Sequence, residues 1–362
     1  MAGLSQLGNS LYRGDVSYNI VGRRKAWYLV SAILIILSIA TLGIRGLNLG
    51  IEFKGGAEFS VPLTVANDES VSQARETVLA AGETPSTVTI IGGDTIRIQT
   101  PALSTEASNA LSAALADSFA VEEANIKVQL VGPSWGDEVT QNALRALLVF
   151  LVLVAIFLSI YFEWQMAVAA LAALAHDVLI TVGIYALSGF EVTPASVIGF
   201  LTILGYSLYD TVVVFDKVKE NTKGIHGGSR TTYSEAANLA LNQTLVRSIN
   251  TSVVALLPVL SILVVGVSLL GVGTLNDLAL ALFVGMLVGT YSSLFVATPF
   301  LCQMKERTAE NIALAKRVQA RRKGGDAAND VKPEISIGAP IVSSAGPRQQ
   351  RVKKTRSRRS GK

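Results

Sequence analysis

Six long apolar runs constrain this chain more than any other feature. Each is long enough to cross the hydrocarbon of a bilayer, roughly 30 Å thick. The runs are Ala26–Ile44, Ala146–Phe162, Trp164–Ser188, Val192–Phe215, the stretch after Arg247 to about Leu270, and Leu278–Leu301. Half of the residues are hydrophobic and only 16% are charged, against about 25% in an average soluble chain. We therefore expect a membrane all-α protein built as a six-helix bundle, with the first span at 26–46 and the other five within 139–304.

The basic residues would lie on one side of such a bundle. They precede the first run, occupy the connection between the fourth and fifth, and fill residues 305–362, which hold sixteen Lys or Arg and five Asp or Glu. Residues 48–138, on the opposite side, hold four basic and thirteen acidic residues. Because Lys and Arg mark cytoplasmic loops, we expect residues 1–25 and a mostly disordered tail, 305–362, to be cytoplasmic. The first run is too long for a cleaved signal peptide and is expected to remain as an anchor.

Residues 47–138 are too many for a loop, and their pattern predicts a small folded domain outside the cytoplasm. The predicted strands are Glu58–Leu63, Thr87–Ile91, Thr95–Thr100 and Ile126–Val131, and the predicted helices are Val71–Ala81 and Thr105–Phe119. The first helix is expected to have Ser70 as its cap and Leu79 on its buried face. The order βαββαβ is that of an α+β, ferredoxin-like fold. The domain contains no His and no Cys, which favours a binding or mechanical module over a catalytic one.

Several classes of chemistry are disfavoured by composition. The single cysteine, Cys302, excludes an internal disulfide. Two histidines and one cysteine make a dedicated zinc or haem site improbable. No Gly-rich phosphate loop followed by Lys-Ser or Lys-Thr is present, so nothing indicates ATP hydrolysis. We expect no metal, no cofactor and no enzymatic activity.

Asp210 lies inside the fourth apolar run. An ionised carboxylate in hydrocarbon costs roughly 2.5–3.5 kcal/mol, so a chain that keeps one normally uses it. Counted from the outer end of the run, Asp210 lies roughly 20 Å deep at 1.5 Å per residue, in the inner third of the bilayer. Asp216 lies near the cytoplasmic interface on another face of the helix. It is expected to be an interfacial charge beside Lys217.

Arg247 lies at the inner end of the fifth run, just before the polar string 248–252. The fourth and fifth runs would be antiparallel, so Arg247 could reach Asp210 inside the bundle. Its guanidinium stays protonated, and the distance of such a cation changes the proton affinity of a buried carboxylate. The pair could therefore couple proton binding to movement, or it could be a static ion pair that holds two helices together.

His176 and Asp177 interrupt the third run and form a second candidate site. The same depth arithmetic places Asp177 roughly 10 Å from the outer surface. The two residues could relay protons, or they could clamp Ser or Thr side chains on a neighbouring helix. Gly285 and Gly289 in the sixth run, and Gly199 and Gly205 in the fourth, predict close helix packing.

These residues carry a resemblance to the SecF family, the smaller half of the SecD–SecF accessory complex of the bacterial Sec translocase. The matching segments are 205–216 with 217–221, 243–248, 289–293 and 175–178. The segment Gly50–Gly56 is similar to the family signature Gly-Ile/Leu-Asp-Phe-x-Gly-Gly, with Glu52 in place of the usual Asp. In this signature Gly50 and Phe53 match, and Gly55-Gly56 predicts a tight turn before the first strand.

The resemblance implies one half of an RND-type transporter that uses the proton-motive force with SecD to assist preprotein translocation and release. It implies that Asp210 and Arg247 take part in proton conduction, with His176 and Asp177 in a matching motif. The implied partners are SecD, the SecY/SecE/SecG translocon, the YajC protein, unfolded preproteins and membrane lipids. The implied location is the bacterial cell membrane, as a multi-pass protein.

Three alternatives remain open at this point. An RND-type exporter of lipid or small molecules usually carries two halves and two large outer domains in one chain. An intramembrane aspartyl protease would need a Gly-x-Gly-Asp motif, which this chain lacks. A non-conducting translocon scaffold would not need Asp210 at all.

Two cytoplasmic segments complete the predictions. Residues 231–245 could form an amphipathic helix on the inner surface, with a capping box of Thr232 and Glu235. The basic cluster at 351–359 could rest on anionic lipid or on ribosomal RNA, and lipid is the simpler choice. No specific nucleic-acid site is expected.

Overall fold

The computed structural model describes residues 10–11, 13, 16–265 and 273–323, with no side-chain description for 273–276. Within those ranges, six helices are long and apolar enough to cross a membrane, which confirms the prediction of six spans. Spans 1 to 6 are Arg24–Arg45, Pro133–Tyr161, Trp164–Ser188, Pro194–Thr222, Tyr233–Val265 and Asp277–Lys305. The predicted end of the fifth run and the predictions for residues 324–362 lie outside the described residues.

Two spans begin well before their apolar runs. Span 2 starts at Pro133, after Gly132, because proline at the first helical position needs no hydrogen-bond acceptor. Span 5 starts at Tyr233 and continues unbroken through residues 240–250. The prediction of a separate surface helix at 231–245 is therefore wrong: its residues are the buried first turns of span 5. The predicted capping box is present, since Thr232 N–H donates to Glu235 Oε2 at 2.9 Å.

The inserted domain, residues 56–131, has the predicted βαββαβ order. Its strands are β2 (Gly56–Pro62), β3 (Thr87–Ile91), β4 (Thr95–Thr100) and β5 (Lys127–Val131), and its helices are α2 (Asp68–Ala80) and α3 (Thr105–Phe119). They follow two short elements, β1 (Asn48–Leu49) and α1 (Ile51–Lys54). The sheet is antiparallel, in the order β3-β4-β2-β5. The domain has a hydrophobic core separate from that of the bundle, centred on Phe59, Ile96, Ile98, Leu111 and Leu115.

Two details of helix α2 differ from the prediction. Its cap is Asn67, whose Oδ1 accepts from the Ser70 backbone N–H at 2.8 Å, so the helix begins one turn earlier than expected. Leu79, predicted to be buried, is 57% exposed. Val78 and Ala74 already fill the helix face that meets the sheet.

The Gly55-Gly56 turn is confirmed and has a steric reason. Gly55 has φ +75°, and a Cβ there would lie 2.9 Å from Pro133 Cα. At Gly56 a Cβ would lie 2.7 Å from the Thr100 carbonyl oxygen. The turn therefore lets the chain pass between span 2 and strand β4, and only glycine fits. Phe53, just before it, is buried.

Spans 3, 4 and 6 form the centre of the bundle. A Cβ at Gly289 would lie 2.9 Å from Ser207 Cβ, and one at Gly199 would lie 2.8 Å from Ala281 Cβ. Gly285 is packed on Ile203 in the same way. These contacts confirm close packing at Gly199, Gly285 and Gly289. No described atom lies within 4 Å of the Cβ position of Gly205, so close packing at that glycine stays a prediction.

Two features complete the fold. Span 6 contains a π-helical turn at Ser293–Ala297, between regular α-helix on either side. After it, helix α4 (Ala309–Lys323) packs through Leu314 and Val318, so the first part of the tail is ordered. Arg317 of α4 donates to the His226 carbonyl oxygen at 2.7 Å.

Candidate functional site

Asp210 lies in the middle of the bundle and is 5% exposed. Its Oδ1 accepts a hydrogen bond from Ser248 Oγ of span 5 at 2.6 Å. Its Oδ2 is buried and has no hydrogen-bond partner among the described residues. A buried carboxylate oxygen without a partner is rare, because the lost hydration is not replaced. The two oxygens of Asp210 are therefore in unlike environments: Oδ1 is hydrogen-bonded, and Oδ2, here called the open oxygen, has no described partner.

Arg247 does not pair with Asp210 as the sequence suggested. The residue that contacts the carboxylate is the next one in span 5, Ser248. The side chain of Arg247 is exposed, and no ion pair within 4.0 Å joins it to a described carboxylate. Successive residues of a helix point about 100° apart, so span 5 turns its serine inward and its arginine outward. The role predicted for Arg247 stays a prediction.

The hydrogen-bonded groups near Asp210 continue between spans 4, 5 and 6. Ser252 Oγ donates to the Ser248 carbonyl oxygen at 2.8 Å and lies 2.7 Å from Thr290 Oγ1. Tyr206 OH donates to Ser252 Oγ at 3.3 Å. Hydroxyl groups both donate and accept. These contacts tie spans 4, 5 and 6 together beside Asp210. The contact between Ser252 and Ser248 is made to a backbone carbonyl, which only accepts, so among the described residues these hydroxyls form no continuous chain to Asp210.

Asp177 is held more firmly and is 1% exposed. Its Oδ1 lies 3.1 Å from His176 Nδ1, and its Oδ2 accepts from Ser207 Oγ of span 4 at 2.5 Å. Both oxygens thus have a partner. The predicted clamp onto a neighbouring serine is present, although a clamp does not exclude a relay.

His176 extends the same network to spans 1 and 6. Its Nε2 lies 3.2 Å from Ser31 Oγ, which in turn lies 3.2 Å from Tyr291 OH. Tyr291 OH donates to the Trp27 carbonyl oxygen at 3.0 Å. The four groups link spans 1, 3 and 6 inside the apolar bundle.

The two carboxylates are closer than depth counting from the sequence placed them. Asp177 contacts span 4 at Ser207, three residues before Asp210, a rise of about 4.5 Å along the helix. Ser293 of the π-helical turn donates to the Ser207 carbonyl oxygen at 3.2 Å and lies 2.9 Å from Thr211 Oγ1. Both carboxylates therefore border one turn of span 4.

The other predicted site residues lie elsewhere. Asp216 is exposed at the far end of span 4, away from Asp210. Gly289 packs against Ser207. The signature residues Gly50, Glu52, Phe53, Gly55 and Gly56 are at the junction between span 1 and the inserted domain. Over the described ranges, no three His, Cys, Asp or Glu side chains are grouped so that they could hold a metal ion.

Sequence reasoning missed the serines that contact His176, Asp177 and Asp210. Ser31, Ser207 and Ser248 are each buried, yet serine is common in membrane helices and carries no signal of its own. Glu191, between spans 3 and 4, is buried as well and was not singled out.

Comparison with known proteins gives a consistent assignment. The family described as protein export membrane protein SecD/SecF, C-terminal, matches residues 111–307, and the SecD/SecF GG motif matches residues 40–65. The SecF subunit of Streptomyces coelicolor is 47% identical over 99% of this chain and 98% of its own. The SecF subunit of Rhodothermus marinus is 34% identical over 83% of this chain and 97% of its own.

The solved structures agree with these sequences. The crystal structure of SecDF from Thermus thermophilus, a translocon-associated membrane protein, matches with a TM-score of 0.72 and 32% identity. The match covers 81% of this chain and 39% of that one. A second SecDF structure, in a super-membrane-facing form, matches with a TM-score of 0.58 and 30% identity. Family, sequence and fold therefore converge, and the chain belongs to the SecF family of protein translocase subunits.

Proposed function

We propose that this chain assists Sec-dependent protein export together with a SecD partner, and that Asp210 carries the proton that couples the machine to the proton-motive force. The observation that carries the proposal is the open oxygen of Asp210. A buried carboxylate oxygen can be satisfied by a proton or by a cation. A site that changes between these two states can couple proton transfer to a change of shape.

Arg247 supplies the cation in this proposal. Its exposed guanidinium adjoins Ser248, the residue that binds Asp210. An exposed arginine inside a membrane span is costly unless a protein partner or water covers it. A movement that brings the guanidinium towards Asp210 would favour release of the proton, and withdrawal would favour its uptake.

A polar face on spans 4 and 5 supports the need for a partner. Thr202, Tyr209 and Asp216 of span 4 are exposed, as are Arg247 and Asn250 of span 5. Gly205, on the same side of span 4, faces open space among the described residues. Small and polar residues on one face of a membrane helix are typical of helix–helix contacts. We assign this face to the SecD partner.

The SecDF relatives support that pairing. The Thermus thermophilus SecDF protein is 33% identical over 81% of this chain, which covers only 39% of it. A SecF-like unit is thus part of a longer chain there, and the remainder is available to provide the SecD half. In the proposed assembly a SecD half would face this half across spans 4 and 5.

The hydrogen-bonded groups around Asp177 and His176 have a supporting role. Asp177 with both oxygens held, His176 and Ser31 tie span 3 to spans 1 and 4. This arrangement keeps span 4 in place while span 5 moves. We propose that His176 and Asp177 position span 4, which carries Asp210, through the contact of Asp177 with Ser207, and that they assist proton transfer.

The remaining assignments follow from the charge distribution and the family. The chain would lie in the bacterial cell membrane with both termini in the cytoplasm and the inserted domain outside. It would contact the SecY/SecE/SecG translocon, the YajC protein and unfolded preproteins, and would act without enzymatic chemistry or cofactor. Its basic tail would rest near anionic lipid.

Translocation in membrane vesicles that contain this chain and its SecD partner tests the proton role. Asp210→Asn and Arg247→Met should each remove the stimulation of preprotein translocation by a proton gradient. Co-purification with SecD should be unchanged. Stimulation at the level of the unmodified protein in both variants would rule out the proposed proton role.

Matched controls separate charge from structure. Asp117→Asn removes an exposed carboxylate from the surface of helix α3 and should leave stimulation unchanged. Asp210→Glu keeps an ionisable group and should retain part of the stimulation. Loss of activity in Asp117→Asn as well would show that the assay reports general damage.

A further inference from the structure

The inserted domain is joined to the bundle by a short parallel ladder. Strand β1 (Asn48–Leu49), directly after span 1, pairs with β6 (Glu191–Val192), between spans 3 and 4. The Gly50 backbone N–H donates to the Val192 carbonyl oxygen at 2.9 Å. Two-residue strands contribute few hydrogen bonds, so side chains must also hold the junction.

Glu191 provides that hold. It is 8% exposed, and its Oε2 lies 2.7 Å from Nη2 of Arg97. Its Oε1 accepts from Gln99 Nε2 at 2.7 Å. Arg97 and Gln99 both lie on strand β4 of the inserted domain. A single side chain between spans 3 and 4 therefore binds the sheet of the domain at two points.

Glu52 brings a second carboxylate to the same place. A Cβ added at Gly50 would lie 2.5 Å from Glu52 Oε2 and 3.1 Å from Glu191 Oε1, so the two carboxylates are close neighbours. Glu52 Oε2 is buried and has no hydrogen-bond partner within the part of the chain that the structure describes. The glycine at position 50 leaves the space in which the two acids meet.

The charges around Glu52 do not balance. Glu191 on β6, Glu58 on β2 and Asp277 at the start of span 6 are its acidic neighbours, and Arg97 on β4 is the cation that faces it. Gln99 also donates to Glu58 Oε2 at 3.0 Å. The net effect is a raised pKa for Glu52: burial raises it most, its backbone hydrogen bond lowers it, Glu191 and Glu58 raise it, and Arg97 lowers it.

We propose that Glu52, Glu191 and Arg97 form a proton-sensitive latch between the inserted domain and the bundle. With Glu52 protonated, Arg97 is free to bind Glu191, and the domain is docked. When Glu52 loses its proton, the two carboxylates repel each other and compete for Arg97, and the junction loosens. The proton exchanges with the compartment that the inserted domain faces.

The sign of the pH dependence follows from the raised pKa. A group whose pKa is higher in the docked state than in the free state stabilises docking at low pH, and that contribution is lost as pH rises through its docked-state pKa. The latch therefore holds in acid and weakens towards neutral and alkaline pH. It does not require Asp210 to carry protons, so either proposal can fail without the other.

Hydrogen exchange on the full-length chain in lipid nanodiscs tests the latch. The protection factors of peptides covering 48–56 and 189–193 are compared between about pH 5 and about pH 8, after correction for intrinsic exchange. We expect protection to fall about tenfold across this range, because the docked state loses the stabilisation that protonated Glu52 provides. Glu52→Gln should keep high protection throughout, because the amide resembles the protonated acid. Glu191→Gln should give low protection throughout, because the ion pair to Arg97 is gone.

Two internal references keep the result decisive. Glu76→Gln, at an exposed position on helix α2, should show the pH dependence of the unmodified chain. Protection of the β3–β4 hairpin reports whether the domain itself stays folded. Should Glu52→Gln unfold the domain, the profile of the unmodified chain decides instead. The latch would be overturned if protection in the unmodified chain did not change with pH. It would also be overturned if protection changed equally in a folded Glu52→Gln variant.

Discussion

Asp177 and Asp210 are two buried aspartates that border the same turn of span 4, and they are treated differently by their surroundings. Asp177 has a partner on each oxygen, His176 on one and Ser207 on the other. Asp210 has Ser248 on one oxygen and no described partner on the other. A buried polar group with a hydrogen-bond partner on every atom stabilises one arrangement of the helices. A buried group with one unpartnered oxygen is less stable, and binding of a proton or a cation to that oxygen lowers its free energy. The difference separates a group that positions helices from a group that can change state.

The largest functional effect is expected for Asp210→Asn. The amide fills the same space and can keep the contact to Ser248, but it cannot bind and release a proton. We expect stimulation of translocation by a proton gradient to disappear, while the free energy of unfolding changes by less than about 1 kcal/mol. Translocation assays in vesicles and denaturant titration of the purified chain measure the two quantities. If Asp210→Asn were inactive and also strongly destabilised, Asp210 would have a structural role like that of Asp177, and the proposed difference between the two aspartates would be wrong.

Asp177→Ala should have the largest effect on stability. It leaves His176 Nδ1 and Ser207 Oγ without the partner they have now, and each buried polar group left unsatisfied costs about 1–3 kcal/mol. Asp177→Asn keeps acceptor capacity and should cost about 1 kcal/mol. Unfolding of the purified chain in denaturant checks both values. Equal costs for the two variants would mean that the hydrogen bonds of Asp177 are not what holds span 3 to span 4.

Gly289→Ala tests the packing that brings Ser207 to Asp177. The added Cβ would lie 2.9 Å from Ser207 Cβ, so spans 4 and 6 must separate, at a cost of about 1–3 kcal/mol. Gly205→Ala is the matched control. Its Cβ meets no described atom, and alanine favours a helix over glycine by about 0.5–1 kcal/mol. Thermal unfolding of both variants should therefore shift in opposite directions, and shifts in the same direction would contradict the close contact.

Ser248→Ala should have the smallest effect. It removes one hydrogen bond from Asp210, worth about 1 kcal/mol, and leaves the carboxylate in place. We expect the stimulation by a proton gradient to fall by about fivefold rather than disappear, and Ser248→Thr to restore it by returning a hydroxyl. A complete loss in Ser248→Ala would show that the serine itself conducts the proton.

Much of this architecture could be predicted because it depends on local patterns. Long apolar runs identified six spans, and alternation and caps identified the four strands and two helices of the inserted domain. Asp210 was recognisable because a charge in hydrocarbon is rare. The start of span 5 could not be predicted because the polar residues at 232–243 resemble a surface helix. Their partners are distant in sequence: Asn238 and Asn242 bond to residues 18–21, and Gln243 bonds to span 4.

The partners of the key groups could not be predicted, since they depend on contacts between distant parts of the chain. Ser248 rather than Arg247 meets Asp210 because of the rotation of span 5, which no spacing rule fixes. The role of Glu191 could not be predicted because it depends on strand β6. That strand is two residues long and pairs with β1, more than a hundred residues earlier in the chain. Sequence patterns identify the unusual charges, and the tertiary structure determines what each one contacts.

The π-helical turn at Ser293–Ala297 has a consequence for span 6. Such a turn holds one residue more than a regular turn, so it offsets the faces of the helix before and after it by about 100°. Removing one residue there would restore an even pitch and rotate Thr290 and Tyr291 away from their present neighbours, or rotate Leu301 and Cys302 out of the apolar centre. The additional residue therefore allows Thr290 and Tyr291, just before the turn, to make their hydrogen bonds inside the bundle while Leu301 and Cys302, after it, are buried in the apolar core.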